Sequence, residues 1–176
     1  AWCTDMGVDV ASMGVQVHGG MGFIEETGAA QHLRDARIAP IYEGTNGIQA
    51  IDLVGRKLAR DGGTAMAELI EDVRQTVEDC ITSSNPDLPV LAEALKPACD
   101  ALEDATKWML DASDADRLAG ATAYLKLAGD VTGGWLLCVG AVAAQRKLKE
   151  ADGEESYAQA RIAIANIFAQ TALSGA

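Results

Sequence analysis

Basic residues are scarce: 14 lysines and arginines face 26 acidic residues in 176, for a formal net charge of −12. That deficit argues against nucleic acid or an anionic membrane as partner, because both are held by basic patches. Long apolar runs are also missing. The longest, Trp135 to Ala144, is about half of what a membrane span requires, so no span is expected. The opening residues lack the basic region, apolar block and cleavage signature of a secretory signal. Paired cysteine spacing is absent: Cys3, Cys80, Cys99 and Cys138 lie 77, 19 and 39 residues apart. Neither a metal site nor a disulfide framework is predicted, and a reducing cytoplasm is the expected location. No strand alternation competes with helical periodicity anywhere, so the fold is expected to be all-α.

What is present is a globular composition, 49% hydrophobic with a mean hydropathy of +0.06, in a length that can bury a real core. Glycine divides it. Eleven of the 18 glycines fall in residues 1–63, whereas residues 64–176 carry 18 acidic against nine basic side chains. The first part is punctuated by turns and the second reads as acidic amphipathic helices, with the boundary at Gly62-Gly63. The chain opens with Ala1 in what already reads as mid-helix, and is expected to be a carboxy-terminal piece of something longer.

Helical spacing runs through both parts. Trp2, Met6, Val10, Met13 and Val17 form one face of a helix that stops at Gly19-Gly20. A short helix is predicted from Thr27 to about Arg37, broken before Pro40. Another runs from Thr45 to about Arg60, with Ile48, Ile51, Leu58 and either Val54 or Gly55 inward and basic residues at its negative pole. After the boundary, Thr64 is expected to cap a helix with the stripe Met66, Leu69, Ile70, Val73, Val77, Cys80 and Ile81, ended by Asn85-Pro86. Leu88, Leu91, Leu95, Ala98, Leu102, Ala105 and Met109 mark the next helix, which Pro97 should kink or split. Ser113-Asp114 caps a third bearing Leu118, Ala121, Leu125, Ala128, Thr132, Trp135, Val139 and Val142. Its glycines, Gly129, Gly133, Gly134 and Gly140, mark either close contact or a break. A turn at Asp152-Gly153 precedes a last helix facing inward through Tyr157, Ala160, Ile164, Ile167 and Thr171. Residues 64–176 therefore predict an up-and-down bundle of about four helices.

Two passages combine side chains that packing alone does not select. Gln16-Val17-His18-Gly19-Gly20-Met21-Gly22-Phe23 runs a helix into three glycines. Either this is a plain helix stop, or it exposes backbone N–H groups to a ligand or another chain. It lacks the strand context of a dinucleotide fingerprint. Ile41-Tyr42-Glu43-Gly44-Thr45-Asn46-Gly47-Ile48-Gln49 sets a carboxylate between an apolar dipeptide and a glycine. Glu43 reads as a solvated loop acid or, given that flank, as a general base. His18 is expected to be a boundary imidazole without a catalytic role and His32 a surface residue, while Arg34 and Asp35 are expected to pair locally and hold the turn before Pro40.

QVHGGMGF, RDARI and IYEGTNGIQ, at these separations, resemble the C-terminal helical domain of acyl-CoA dehydrogenases over residues 1 to about 62. The remainder is more loosely similar to the extra helical domain of larger bacterial members, the methylthiopropanoyl-CoA dehydrogenase-like group. The resemblance assigns residues 1–63 to the first domain and 64–176 to the extension. It implies an oxidoreductase, a flavoprotein of fatty acid metabolism that places a double bond between Cα and Cβ of an acyl-CoA thioester. In that reading Glu43 is the catalytic base, and its own backbone N–H helps to stabilise the enolate oxygen. Gly44 passes the substrate thioester, and Thr45 and Asn46 face the FAD. Gln16, Gly19 and Gly20 match residues that reach the FAD of a neighbouring subunit, which implies a homo-oligomer. Gly47 stands where many relatives carry a glutamine, so one flavin contact is lost. Electrons are implied to pass to an electron-transferring flavoprotein, or to oxygen if the parent is an acyl-CoA oxidase. No FAD is expected to bind this chain alone, because the family's middle β-domain is absent from it. A second class of reading makes residues 64–176 a structural or oligomerisation module, since they show no histidine, no glycine-rich anion loop and no isolated carboxylate in an apolar setting.

Overall fold

A computed structural model describes residues 1–149 and 155–173, and every regular element among them is helical. Helix α1 (Trp2–His18) is followed by the short α2 (Gly20–Phe23), a 3-10 turn at Glu25–Thr27 and α3 (Ala29–Ile38). A loop leads to α4 (Asn46–Asp52), which continues through a π-helical turn at Leu53–Lys57 into α5 (Leu58–Arg60). Four longer helices complete the described chain: α6 (Thr64–Ile81), α7 (Asp87–Asp111), α8 (Asp114–Lys149) and α9 (Glu155–Thr171). Short links join α6 to α7 and α7 to α8, which makes sequence neighbours pack as up-and-down partners. The turn expected at Asp152-Gly153 lies outside the described residues.

The stripes of α6 and α7 are buried much as their spacing predicts. Ile70, Val73, Val77 and Cys80 face Leu88, Leu91, Leu95, Ala98, Leu102 and Met109 in one core, although Ile81 is exposed. Two local expectations fail. The cap of α6 comes from Asp61 rather than Thr64: its carboxylate accepts from Gly63 N at 3.0 Å and Ala65 N at 3.1 Å. Thr64 is already helical, and its hydroxyl donates back to Asp61 O. Pro97 does not split α7, which is one helix of 25 residues. The proline sits on the solvent side, where water can satisfy the carbonyl that loses its donor, while Leu95, Ala98 and Cys99 keep the packed face continuous.

Helix α9 turns a different face inward from the one predicted, and α8 keeps the predicted face only in part: Ala121 and Ala128 are buried and Leu125, Trp135 and Val142 are half-buried against the core. Ala121, Tyr124, Ala128, Val131, Cys138, Ala141 and Ala144 are the buried hydrophobic residues of α8, while Leu118 and Val139 are exposed. On α9, Ala158, Ile162, Ala165 and Ala169 are buried and Tyr157, Ile164 and Ile167 are exposed. Small residues let the two helices approach closely, so the contact excludes the bulky stripe. Gly134 shows how closely: a Cβ there would lie 2.8 Å from Leu173 Cδ1. Helix α8 is therefore continuous through Gly133-Gly134, about 54 Å long at 36 residues. It is also long and apolar enough to cross a membrane by length and composition. A core helix passes the same test, and here α8 is lined by α7, α9 and the α4 region.

The first 63 residues join this core through the helix from α4 to α5 and through Trp2 of α1, which lies on α8. Ala50, Val54 and Leu58 belong to the same apolar cluster as the bundle, while Ile48 and Ile51, predicted inward, are exposed. The π turn adds a residue to one helical turn and so rotates the face that α5 presents. Helix α1 buries no residue fully, and the outer end of its apolar stripe lies open, with Val17 86% exposed. Arg34 forms an ion pair with Glu25 at 3.5 Å, while Asp35 accepts from Gln31 instead of a cation, so the contacts reach back along the chain and do not brace the turn before Pro40.

Candidate active site

The loop between α3 and α4 is closed by its own backbone. Ile38 O accepts from Ile41 N and Tyr42 N at 3.0 and 3.2 Å, and Asn46 N donates to Pro40 O at 3.1 Å. Between these clasps Glu43 takes φ 54°, the one positive φ at a non-glycine among the described residues, and Gly44 follows at φ 99°. A left-handed glutamate costs about 1–2 kcal/mol, and such a conformation persists where the surroundings over-determine it. They do so here. Gln49 Nε2 donates to Glu43 O at 3.2 Å and lies 2.9 Å from where a Gly44 Cβ would stand. A side chain at position 44 would displace the group that holds Glu43.

Thr45 is the N-cap of α4, its hydroxyl oxygen accepting from Ile48 N at 3.4 Å. Asn46 is occupied inside the chain: its amide donates to Ala1 O at 3.0 Å and Thr4 Oγ1 at 2.9 Å. Both contacts pin the loop to the first turn of α1. The Glu43 side chain is exposed beside exposed Ile41 and Tyr42. Among the described residues, no backbone carbonyl accepts from the N–H groups of Glu43, Gly44 or Thr45. Successive free N–H groups on a left-handed stretch suit an oxygen that carries or develops negative charge.

Gln16, Gly19 and Gly20 lie at the other end of α1. Gly19 has φ 61° and donates to Gln16 O at 3.1 Å, and nothing stands within 4 Å of a Cβ at Gly19 or Gly20. The backbone there is open to close approach. Gly22 is different: its Cβ would collide with the Val15 carbonyl, so packing alone demands that glycine. His18 Nδ1 bonds Gly14 O at 2.8 Å, its own helix, in an exposed position. Thr4, which touches Asn46, and Gln16 are twelve residues apart on α1, about 18 Å. Glu43, Gly44, Thr45 and Asn46 are thus one cluster, and Gln16, Gly19 and Gly20 are another.

Sequence reasoning missed the anchors. Gln49 ends the quoted motif but has no signal of its own as a clamp. Asp130 was not expected, since no isolated carboxylate was foreseen among residues 64–176, yet it is 2% exposed on α8. It accepts from Trp2 Nε1 at 2.8 Å and pairs with Lys126. Its signal is faint, a lone acid between Ala128-Gly129 and Val131. Three of the four cysteines are buried. The neighbouring Cys80 thiol and burial both push Cys138 up, and burial raises Cys99, so these two thiols stay protonated. No cluster of metal-ligating side chains occurs among the described residues.

Two family profiles cover the chain: "Acyl-CoA dehydrogenase, C-terminal domain" over residues 1–59 and "Acetyl-CoA dehydrogenase C-terminal like" over residues 69–176. It is 44% identical, over 98% of its length, to a 3-methylmercaptopropionyl-CoA dehydrogenase of Ruegeria pomeroyi. Against a broad-specificity linear acyl-CoA dehydrogenase of Mycobacterium tuberculosis it is 32% identical over 90%. A human mitochondrial short-chain specific acyl-CoA dehydrogenase is 45% identical over 28% of the chain and 12% of its own length. The chain spans 29% and 28% of the two bacterial relatives.

Proposed function

Because this chain belongs to the acyl-CoA dehydrogenase family, we propose that it carries the catalytic base of an enzyme that desaturates an acyl-CoA thioester between Cα and Cβ, with Glu43 as that base. The observation that carries the reading is the pinned left-handed backbone at Glu43, with a free N–H on the residue that bears the carboxylate.

The α-C–H of a thioester is a weak acid, so its removal needs a positioned base and a stabilised enolate oxygen. Glu43 takes the α-proton on its carboxylate. The Glu43 backbone N–H donates to the thioester oxygen as negative charge grows there, and Gly44 leaves room for the thioester. Ile41 and Tyr42 offer apolar surface beside the carboxylate, where a seated acyl chain would displace water.

The family is generally FAD-dependent, and the residues present fit such a group in part. Thr45 spends only its oxygen lone pair on Ile48 N, so its hydroxyl proton is available to a phosphate oxygen. Gly19 and Gly20 admit a cofactor edge against bare backbone, and Gln16 is exposed beside them. Asn46 has its amide committed to α1, and we assign it to holding the loop. When bound, FAD supplies the acceptor for the β-hydrogen, which leaves as hydride. The rise of about 18 Å along α1 between Thr4, which touches Asn46, and Gln16 supports a homo-oligomer in which Gln16, Gly19 and Gly20 serve a neighbour's cofactor. An electron-transferring flavoprotein as acceptor and a cytoplasmic location complete the reading.

The test uses the full-length protein. Purified with its flavin, it should convert an acyl-CoA to the trans-enoyl-CoA, with reoxidation by electron-transferring flavoprotein outrunning reoxidation by air. Absence of enoyl-CoA with acyl chains from short to long would overturn the proposal. Faster reoxidation by air would make it an oxidase.

A further inference from the structure

Residue Trp2 stands where three elements meet. Its indole N–H donates to Asp130 Oδ1 at 2.8 Å, and that carboxylate is 2% exposed and also paired with Lys126. The ring lies directly on Gly129 and Gly133: a Cβ at Gly133 would stand 2.9 Å from Trp2 Cη2, and one at Gly129 would overlap the indole. Phe168 of α9 meets the same ring edge to face, centroids 6.3 Å apart. Both glycines of α8 thus form the seat of a side chain from the first turn of α1, which accounts for their place in an unbroken helix.

That same first turn holds the active loop. Asn46 donates to Ala1 O and to Thr4 Oγ1, one residue before and two after Trp2. Thr4 Oγ1 in turn donates to Ala1 O at 2.7 Å. Asn46 N closes the loop on Pro40 O, and Glu43 lies inside that closure. The chain of contacts runs from Asp130 to Trp2, to Ala1 and Thr4, to Asn46, and so to Glu43. A buried carboxylate is costly to desolvate, and this one spends its oxygens on an indole and an ammonium instead of on any substrate. Helix α4 and the π turn also rest on α8, with Ala50 and Val54 in the shared core, which fixes their distance from the bundle. The Trp2 link fixes where the N-terminus of α4 points.

We propose that Trp2 and Asp130 are positioning residues: the bundle of residues 64–176, through this clamp, sets the orientation of the Glu43 loop. The extension is then a scaffold for the base rather than a separate module. The inference rests on the reading of Glu43 as the base.

The experiment is made in the full-length holoenzyme and reads kcat, KM for acyl-CoA, and amide hydrogen exchange of residues 41–46 by mass spectrometry. Trp2→Phe keeps an aromatic ring and removes the indole donor. It should lower kcat about threefold to tenfold, the weight of one ordinary hydrogen bond. KM should stay within about twofold, since the lost contact acts in the transition state, and exchange in the loop should quicken. Asp130→Leu should match Trp2→Phe. Asp130→Asn keeps an acceptor oxygen and should stay near wild type in all three readouts, and with Trp2→Phe it carries the test if Asp130→Leu does not fold. Thr106→Val, which breaks a buried hydrogen bond elsewhere in the bundle, should lower thermal stability yet leave kcat and loop exchange unchanged.

If Trp2→Phe lowers only thermal stability, as Thr106→Val does, the clamp is merely structural and the proposal falls. It also falls if Asp130→Asn is as impaired as Asp130→Leu. Loop exchange is measured again with Trp2→Phe in a Glu43→Gln background. Should Glu43→Gln itself turn over like wild type, the function assigned to Glu43 fails, and unchanged or quickened loop exchange still decides the clamp.

Discussion

Tyr124 of α8 and Thr106 of α7 share a hydroxyl pair deep in the bundle, and the direction of its hydrogen bond predicts unequal costs for breaking it. Thr106 Oγ1 donates to Leu102 O at 2.7 Å, and its oxygen lies 2.8 Å from Tyr124 OH. A threonine hydroxyl has one proton, so with that proton on Leu102 O the bond to Tyr124 must be donated by the phenol. Burial raises the Tyr124 pKa above its ordinary value, which keeps that proton in place. Tyr124→Phe removes the donor and leaves Thr106 still donating to Leu102, so it loses one hydrogen bond, about 1 kcal/mol. Thr106→Val removes the acceptor and strands the phenol O–H, which is 2% exposed. The expected cost is then about 1–3 kcal/mol, the desolvation penalty of an unpaired donor. The double variant should cost no more than Tyr124→Phe, because no orphan remains. Urea unfolding of the chain followed by far-ultraviolet circular dichroism measures all three. Equal or greater loss for Tyr124→Phe would show that the assigned hydrogen-bond direction is wrong.

Asp61→Ala removes the acceptor of two backbone N–H groups at the start of α6 and should cost about 0.5–2 kcal/mol in the same assay. Gly134→Val drives two methyl groups at Leu173 and should destabilise by about 1–3 kcal/mol through overpacking, seen as a lower urea midpoint. Arg74 holds the Glu103 carboxyl below its ordinary value of 4.5. A depressed folded-state value means the stabilisation is present above the unfolded value and lost as pH falls through the folded one. The stability difference between wild type and Arg74→Met should therefore hold steady at neutral pH and shrink as pH drops below about 4.5. The chain alone, expressed with excess flavin, should retain no FAD after gel filtration, as judged by absorbance near the visible flavin band.

How much of this was legible depended on residue size. The stripes of α6 and α7 use leucine, isoleucine and valine at steps of three and four, and those residues are the buried ones. Helices α8 and α9 meet through alanine and glycine. A reading weighted toward bulky residues chose Leu118, Val139, Tyr157 and Ile164, which the close approach leaves outside. The π turn at Leu53–Lys57 has no sequence signature, and α4 faces the core through the small Ala50 while Ile48 and Ile51 are exposed. At the site, the apolar-acid-glycine pattern marks Glu43 and Gly44, and the helix expected to start at Thr45 does start there, with Thr45 as its N-cap. The tertiary anchors did not follow: Asn46 to Ala1 and Thr4 spans 45 and 42 positions, and Trp2 to Asp130 spans 128. Nothing in local periodicity pairs residues that far apart.

The central claim, that Glu43 is the base, is tested most directly by Glu43→Gln in the full-length flavoprotein. Glutamine keeps the size and the pinned backbone but cannot take the α-proton. General-base contributions are about 10²–10⁴-fold. Mixed anaerobically with acyl-CoA, the variant should lose bleaching of the visible flavin absorbance by at least about that factor, while substrate still perturbs the oxidised spectrum on binding. Bleaching at close to the wild-type rate would contradict the assignment and place the base on another residue.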